Sequence, residues 1–367
     1  MTIRLVYFVS HPIQYQAPLL RRLACDPDIS LRVVFERDFS SGRYRDPGFG
    51  VDVEWDVPLR EGYESSLLGE CDVARTIGNA DVVWTHGWET AALRSIIAKA
   101  HQAGRPVLMR GENWSGAMPD GSGPRGWLKR HYLSRIFAFC RGFLAIGTCN
   151  HRYYEEHGVL PERIFHMPYA VDNEFFAERA TAEEAAKVRA RHGISPTRKI
   201  VLYAGKLTRR KHPEHVLQAW REAKWAGERP ILMFVGDGEQ RTSLAAEADA
   251  DVVFTGFRNQ TELPGYYAAA DLFVLLAERE PWGLAVNESM ACGTGVVASD
   301  QVGAAYDLVD DETGLRLPVG DVPGLAREFP ALMARADSLG RAARARVAGW
   351  DFAADVAGLK SAVAAVT

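Results

Sequence analysis

Glu280 and Glu288 are separated by seven residues in the stretch LFVLLAEREPWGLAVNESMACGTGVVA, residues 272–298. The apolar run predicts a buried strand ending near Ala277. A loop carries Glu280-Pro281-Trp282-Gly283, and a helix follows from about Leu284 until Gly293 closes it. One carboxylate then sits in the loop and the other about a turn and a half into the helix. In an open α/β sheet this carboxyl edge is where ligands bind. A helix opening at Gly283-Leu284 offers unpaired amides and a positive dipole end suited to a diphosphate. Flanking carboxylates accept hydrogen bonds from vicinal hydroxyls, and a sugar nucleotide carries both groups. Taken singly, a solvated loop glutamate and a mid-helix surface charge explain the same two residues.

A second cluster is IVLYAGKLTRRKHP, residues 200–213. A strand delivers Gly205 and Lys206, and Lys211 follows just before a helix that opens near His212-Pro213. Preorganised cations here would stabilise a departing diphosphate more in the transition state than in the ground state; a solvated basic turn is the plain alternative. Gly236-Asp237-Gly238 and Gly256-Phe257-Arg258 end two further strands at the same edge, where glycine permits close approach of a ligand. No Asp-x-Asp segment lies in a strand-turn context that would hold a divalent cation at a phosphate, so neither a metal nor another cofactor is expected.

The first half carries its own strand-end groups. Ser10-His11-Pro12-Ile13-Gln14-Tyr15-Gln16 follows the first strand, with His11 and Gln14 as acceptor-side candidates and His11 also readable as a loop residue that fixes the turn. His86 ends the run Trp84-Thr85-His86-Gly87. Arg110 and Glu112 stand beyond the next strand; Arg110 could meet an anionic or hydroxylated acceptor, or pair with Glu112. PRGWLKRHYLSRIFAFCR, residues 124–141, reads either as an amphipathic helix packed on the sheet or as one that dips into an anionic membrane face.

These groups need strands to hold them. Short apolar runs followed by helical periods give an α/β architecture of βα units. The first series is Ile3 to Val9, Leu31 to Phe35, Asp81 to Trp84, Pro106 to Met109, Gly142 to Ile146 and Ile164 to Met167. The second is Ile200 to Ala204, Ile231 to Val235, Val252 to Thr255, Leu272 to Leu276, Val296 to Ala298 and Gly314 to Leu317. A length of 367 residues favours two cores. We divide them as an N-terminal domain over 1–170, a C-terminal domain over 171–349, and a helix over 350–367 that packs back on the first. The formal charge of −4 excludes a global basic field for nucleic acid. Five cysteines without CxxC pairs read as reduced thiols. With no run long enough to span a membrane, the expected location is the cytoplasm, with peripheral contact at the inner membrane face through 124–141 as the added option.

The segment around Glu280 and Glu288 resembles the retaining glycosyltransferases of family 4, whose mark is E-x-F/W-G followed by E-A-M-A-x-G. Ser289, Ala277 and Gly295 depart from that pattern. The HPIQY run resembles a subset of the same family. The resemblance implies a GT-B fold of two facing Rossmann-like domains, with the acceptor on the first and a UDP- or GDP-sugar on the second. It further implies Glu280 at the transferred sugar, Glu288 at the ribose diol, Lys206 and Lys211 at the diphosphate, and His86 as a sugar-orienting donor. Gly205, Gly236, Gly238, Phe257, Arg258, Trp282, Gly283 and Leu284 complete the implied donor side, with Arg209 and Arg210 exposed. The acceptor would be a surface polysaccharide, a lipid-linked sugar or a small natural product, and the assembly a monomer or homodimer. A sugar-nucleotide epimerase of the same shape and a non-catalytic nucleotide-sugar-binding subunit are the competing readings.

Overall fold

The computed structural model describes residues 2–121 and 123–367. In chain order its strands are Ile3–Val9 (β1), Ile29–Phe35 (β2), Tyr44–Arg45 (β3), Asp52–Val53 (β4), Glu64–Leu67 (β5), Val82–His86 (β6), Val107–Arg110 (β7), Gly142–Ala145 (β8) and Ile164–His166 (β9). They continue with Ile200–Ala204 (β10), Ile231–Val235 (β11), Val252–Gly256 (β12), Leu272–Leu275 (β13), Gly295–Ser299 (β14) and Gly314–Leu317 (β15).

Two compact units result. The first contains the chain up to Tyr44, Val57–Tyr169 and Phe352–Thr367, and the second contains Arg45–Asp56 and Ala170–Asp351. Unit 1 is built on a seven-stranded sheet in the order β5-β2-β1-β6-β7-β8-β9. Its pairs are parallel, with Leu5 beside Val82 and Thr85 beside Met109. Unit 2 is built on a six-stranded sheet in the order β12-β11-β10-β13-β14-β15, also parallel, with Val201 beside Leu272. Each order reverses beside its first strand, and that reversal opens a crevice at the carboxyl ends. In unit 1 the reversal lies between β1 and β6; in unit 2 it lies between β10 and β13.

Strands covered by helices on both faces must be apolar throughout. β10 and β11 are buried along their whole length, and Trp220, Phe234, Val274, Leu325 and Phe329 pack in the core beside them. The core of unit 1 gathers Phe8, Val83, Ile97, Met109, Phe137 and Phe143.

The first helix runs Ala17–Ala24, and the amides of Gln16 and Ala17 both turn back onto the Ile13 carbonyl at its start. Strand β5, with the sequence ESSL, lacks an apolar run to betray it; a short polar strand suits a sheet edge. The tail helix Phe352–Val366 lies against β8 and β9, so close that a Cβ at Gly358 would meet the His166 carbonyl at 2.0 Å. Lys360 on that helix reaches Asp26 and Asp28 at 3.1 and 2.6 Å. Arg45–Asp56, which the sequence reading left in the first domain, groups instead with unit 2.

Candidate functional site

In unit 2 the residues flanking the switch point come together. Glu280 follows β13 and Lys211 follows the turn after β10. Their charged ends meet at 2.6 Å, with side chains 14% and 17% exposed. Glu288 lies in the helix Leu284–Ala291, entered through Gly283 at φ 98°. The Tyr267 hydroxyl donates to its carboxylate at 2.8 Å. Burial pushes the Glu288 carboxyl up to about 7, against the pull of the Tyr267 hydrogen bond and the Lys211 charge. The Lys206 ammonium pairs with Asp46 at 2.8 Å. Arg209 and Arg210 are exposed.

The glycine turns have a packing reason of their own. A Cβ on Gly236 would stand 1.9 Å from the Gly205 carbonyl, and one on Gly238 2.5 Å from that of Leu207. The amide of Leu207 meanwhile donates to Asp237 at 2.8 Å. The two strand-end turns interlock, so glycine at 236 and 238 follows from backbone crowding before any ligand is considered. Phe257 packs against Phe49 and Trp55, at 5.0 and 6.0 Å between ring centres. Arg258 donates to the Thr255 carbonyl at 2.7 Å.

Two expected contacts need correction. Trp282 is 2% exposed; its indole donates to Asn287 at 2.8 Å and its ring stacks on Trp350. That side chain is packed inside unit 2, where it anchors the loop, instead of lying open to a ligand. Arg110 is 1% exposed and pairs with Asp355 at 3.3 Å on the tail helix, while reaching the carbonyls of Met167 and Pro168. Its direct ion pair is with Asp355 and not with Glu112, whose charge it only feels, so buried Arg110 ties the tail helix to β7 instead of facing an acceptor in the open.

Glu112 pairs with His86 instead. His86 Nε2 lies 3.0 Å from its carboxylate, which also accepts the Tyr169 hydroxyl. Burial pushes the Glu112 carboxyl up, but His86, Tyr169 and Arg110 outweigh it and hold it below its ordinary value. An ionised carboxylate only accepts, so Nε2 is the donor in this contact. Nδ1 lies 2.9 Å from the Tyr7 hydroxyl and 3.2 Å from the Gln16 amide nitrogen. The Nε2–H of His86 is thus directed at Glu112. His11 bonds Ser10 at 2.9 Å and leans on Phe39, as a turn-fixing residue does. Gln14 is half-buried, and it is Gln16 that joins the His86 network.

His212, Glu214 and His215 gather next to Lys211 within 4.8 Å of one another. The imidazoles stack with parallel planes, 4.4 Å between centres. Their in-plane lone pairs therefore run side by side and do not converge on one point.

The sequence from 184 to 346 matches the family described as glycosyl transferases group 1. These residues carry a glycosyl transferases group 1 domain. Similar proteins include a D-inositol 3-phosphate glycosyltransferase from Streptomyces bingchenggensis, 33% identical over 47% of this chain and 42% of that one. A GDP-mannose-dependent monoacylated alpha-(1-6)-phosphatidylinositol monomannoside mannosyltransferase from Corynebacterium glutamicum is 29% identical over 51% and 52%. The matched part thus spans about half the length of these curated relatives. Over 98% of this chain and 99% of the other, the fold is similar to Anabaena Alr3699/HepE solved in complex with UDP, with a TM-score of 0.76 and 16% identity. WaaG, a glycosyltransferase involved in lipopolysaccharide biosynthesis, gives a TM-score of 0.68 at 15% identity over 99% of both chains. The chain has the GT-B fold.

The glycosyl transferases group 1 domain contains Lys206, Lys211, Glu280 and Glu288. Sequence reasoning missed the groups that hold them and their counterparts in unit 1. Tyr267 is hidden in an apolar helix, and Tyr7 lies inside a strand. Asp355 could have been found, as a lone acid on the buried stripe of FAADVAGLKSAVAAV. Asp46 had a signal in the turn sequence DPGFG, but none for its distant partner.

Proposed function

We propose that this chain is a metal-independent retaining glycosyltransferase of the family 4 type, taking a sugar from UDP or GDP to a hydroxyl acceptor. The observation that carries the reading is the contact of Lys211 with Glu280 at the switch point of unit 2, with Glu288 on the helix that opens beside it. In this reading Lys206, Lys211 and the amides after Gly283 neutralise the diphosphate as the glycosidic bond breaks. Lys211 keeps one N–H on Glu280 and turns others to phosphate. Glu280 grips hydroxyls of the transferred sugar, Glu288 the ribose diol, and Phe257 and Arg258 flank the base.

The acceptor hydroxyl attacks on the face the diphosphate leaves, and its proton passes to a phosphate oxygen, so no protein nucleophile takes part. The His86–Glu112–Tyr169 network offers a fixed polar wall at the carboxyl end of unit 1. Among the described residues no helix is long and apolar enough to cross a membrane. Peripheral contact through the helix Gly123–Phe137 belongs to the same proposal. Its Leu133, Ile136 and Phe137 are buried, whereas Trp127, Leu128 and Tyr132 are 60%, 57% and 50% exposed.

The test is incubation of the purified chain with a panel of sugar nucleotides, with and without acceptor extracts. A glycosylated product of retained anomeric configuration supports the reading. Nucleotide release with an altered free sugar and no acceptor supports an epimerase, and binding without turnover a non-catalytic subunit.

A further inference from the structure

Lys206 is held by a segment that comes from a distant part of the chain. Arg45–Asp56 groups with unit 2 and is fastened there at its C-terminal end. The Asn259 side chain donates to the Glu54 carbonyl at 2.6 Å, and the Thr261 amide donates to Asp56 at 3.1 Å. Nearer its start, three residues surround the Lys206 side chain. Asp46 pairs with its ammonium at 2.8 Å, and the Phe49 ring centre lies 4.9 Å from it. Gly48 lies against the stem, where a Cβ would stand 2.5 Å from Cδ.

Asp46 is itself fixed. It is 9% exposed and accepts the amides of Gly48 and Phe49 at 2.8 and 2.9 Å. The lysine side chain remains 36% exposed, and its ammonium reaches both Asp46 oxygens, at 2.8 and 3.0 Å. A lysine loses up to about 2 kcal/mol of rotamer entropy when a ligand immobilises it. A lysine already clamped at its stem and head has met that cost before the ligand arrives.

We propose that Arg45–Asp56 is a clamp that preorganises Lys206 for the donor's diphosphate, with Asp46 and Gly48 as positioning residues. This rests on the donor reading given above. It assigns to the donor site a segment lying more than a hundred positions before the basic turn.

Two substitutions disturb Lys206 by different means. Asp46→Asn removes the charge that fixes the ammonium, and Gly48→Ala displaces the stem without changing charge. UDP and UMP, or GDP and GMP, serve as probes in calorimetry on the full chain, with melting curves to verify folding. Each variant is expected to bind the diphosphate about tenfold more weakly, the scale of one charge-assisted hydrogen bond, with little change for the monophosphate. In a Lys206→Met background, Asp46→Asn should add nothing. Equal losses for diphosphate and monophosphate, unchanged diphosphate affinity, or full additivity with Lys206→Met would overturn the clamp. Tighter diphosphate binding by Asp46→Asn also overturns it, since Asp46 would then compete for the lysine. If Gly48→Ala does not fold, the Asp46 and Lys206 cycle decides alone. Failure of the unaltered chain to bind either diphosphate sinks the donor reading itself, and the clamp with it.

Discussion

Replacing Glu288 with glutamine should make the chain more stable and less able to bind a nucleotide, and the gain in stability should exist only at higher pH. The Glu288 carboxyl moves from its ordinary 4.5 to about 7 because burial disfavours the charge more than Tyr267 and Lys211 favour it. At about 1.4 kcal/mol per tenfold change in proton affinity, ionised Glu288 costs the folded state roughly 3 kcal/mol. The sign follows from the direction of the displacement. Below pH 4.5 the group is protonated whether folded or not, and the cost is absent; it grows as pH rises and is complete above about 7. Glutamine keeps an oxygen for the Tyr267 hydroxyl and removes the charge. Calorimetric melting without added nucleotide should therefore show a gain of roughly 5–10 °C for Glu288→Gln at pH 8, shrinking toward nothing near pH 4.5. The same variant should lose diphosphate affinity by about tenfold or more at pH 8, and the unaltered chain should bind more tightly as pH rises through about 7. An equal melting difference at both pH values would refute the burial argument. Unchanged nucleotide affinity would remove Glu288 from the donor site.

Three further outcomes are expected. Arg110→Met leaves Asp355 buried without its cation and should destabilise unit 1 by about 3–5 kcal/mol, seen as a lower melting temperature; an intact melt with a raised acceptor KM would restore Arg110 to the acceptor. Activity should persist in excess chelator, and strict dependence on magnesium or manganese would end the metal-free proposal. Vesicles rich in anionic lipid should co-sediment the chain while zwitterionic vesicles do not, because no Asp or Glu occurs between Asp120 and Glu155. Trp127→Ser with Leu128→Ser should reduce that binding, and equal binding to both vesicle types would discard the surface.

Much of the sheet architecture was legible because parallel strands covered on both faces must be apolar, and β1, β10, β11 and β15 carry the residue ranges that the runs predict. The helix at Leu284 and its closure at Gly293 were readable for a similar reason, since φ is 98° at Gly283 and 82° at Gly293. What stayed hidden was pairing across long stretches of sequence. Nothing local in Arg110 distinguishes an arginine that meets a ligand from one that neutralises Asp355, 245 positions away. Asp46 and Lys206 are 160 apart, and a one-dimensional pattern carries no register between such groups. Trp282 misled for a different reason, because a loop aromatic next to a carboxylate reads as a ligand contact until its burial on Trp350 is known.

The chain passes between its two units four times, at 44/45, 56/57, 169/170 and 351/352. During synthesis the seven strands of unit 1 are complete once residue 166 has emerged, yet the charge that neutralises Arg110 arrives some two hundred residues later with Asp355. A chain that has emerged only to residue 166 therefore lacks the carboxylate that pairs with Arg110, and the flank of β8 and β9 is uncovered. Unit 1 is consolidated only once Phe352–Thr367 has been added, and no single cut releases either unit whole.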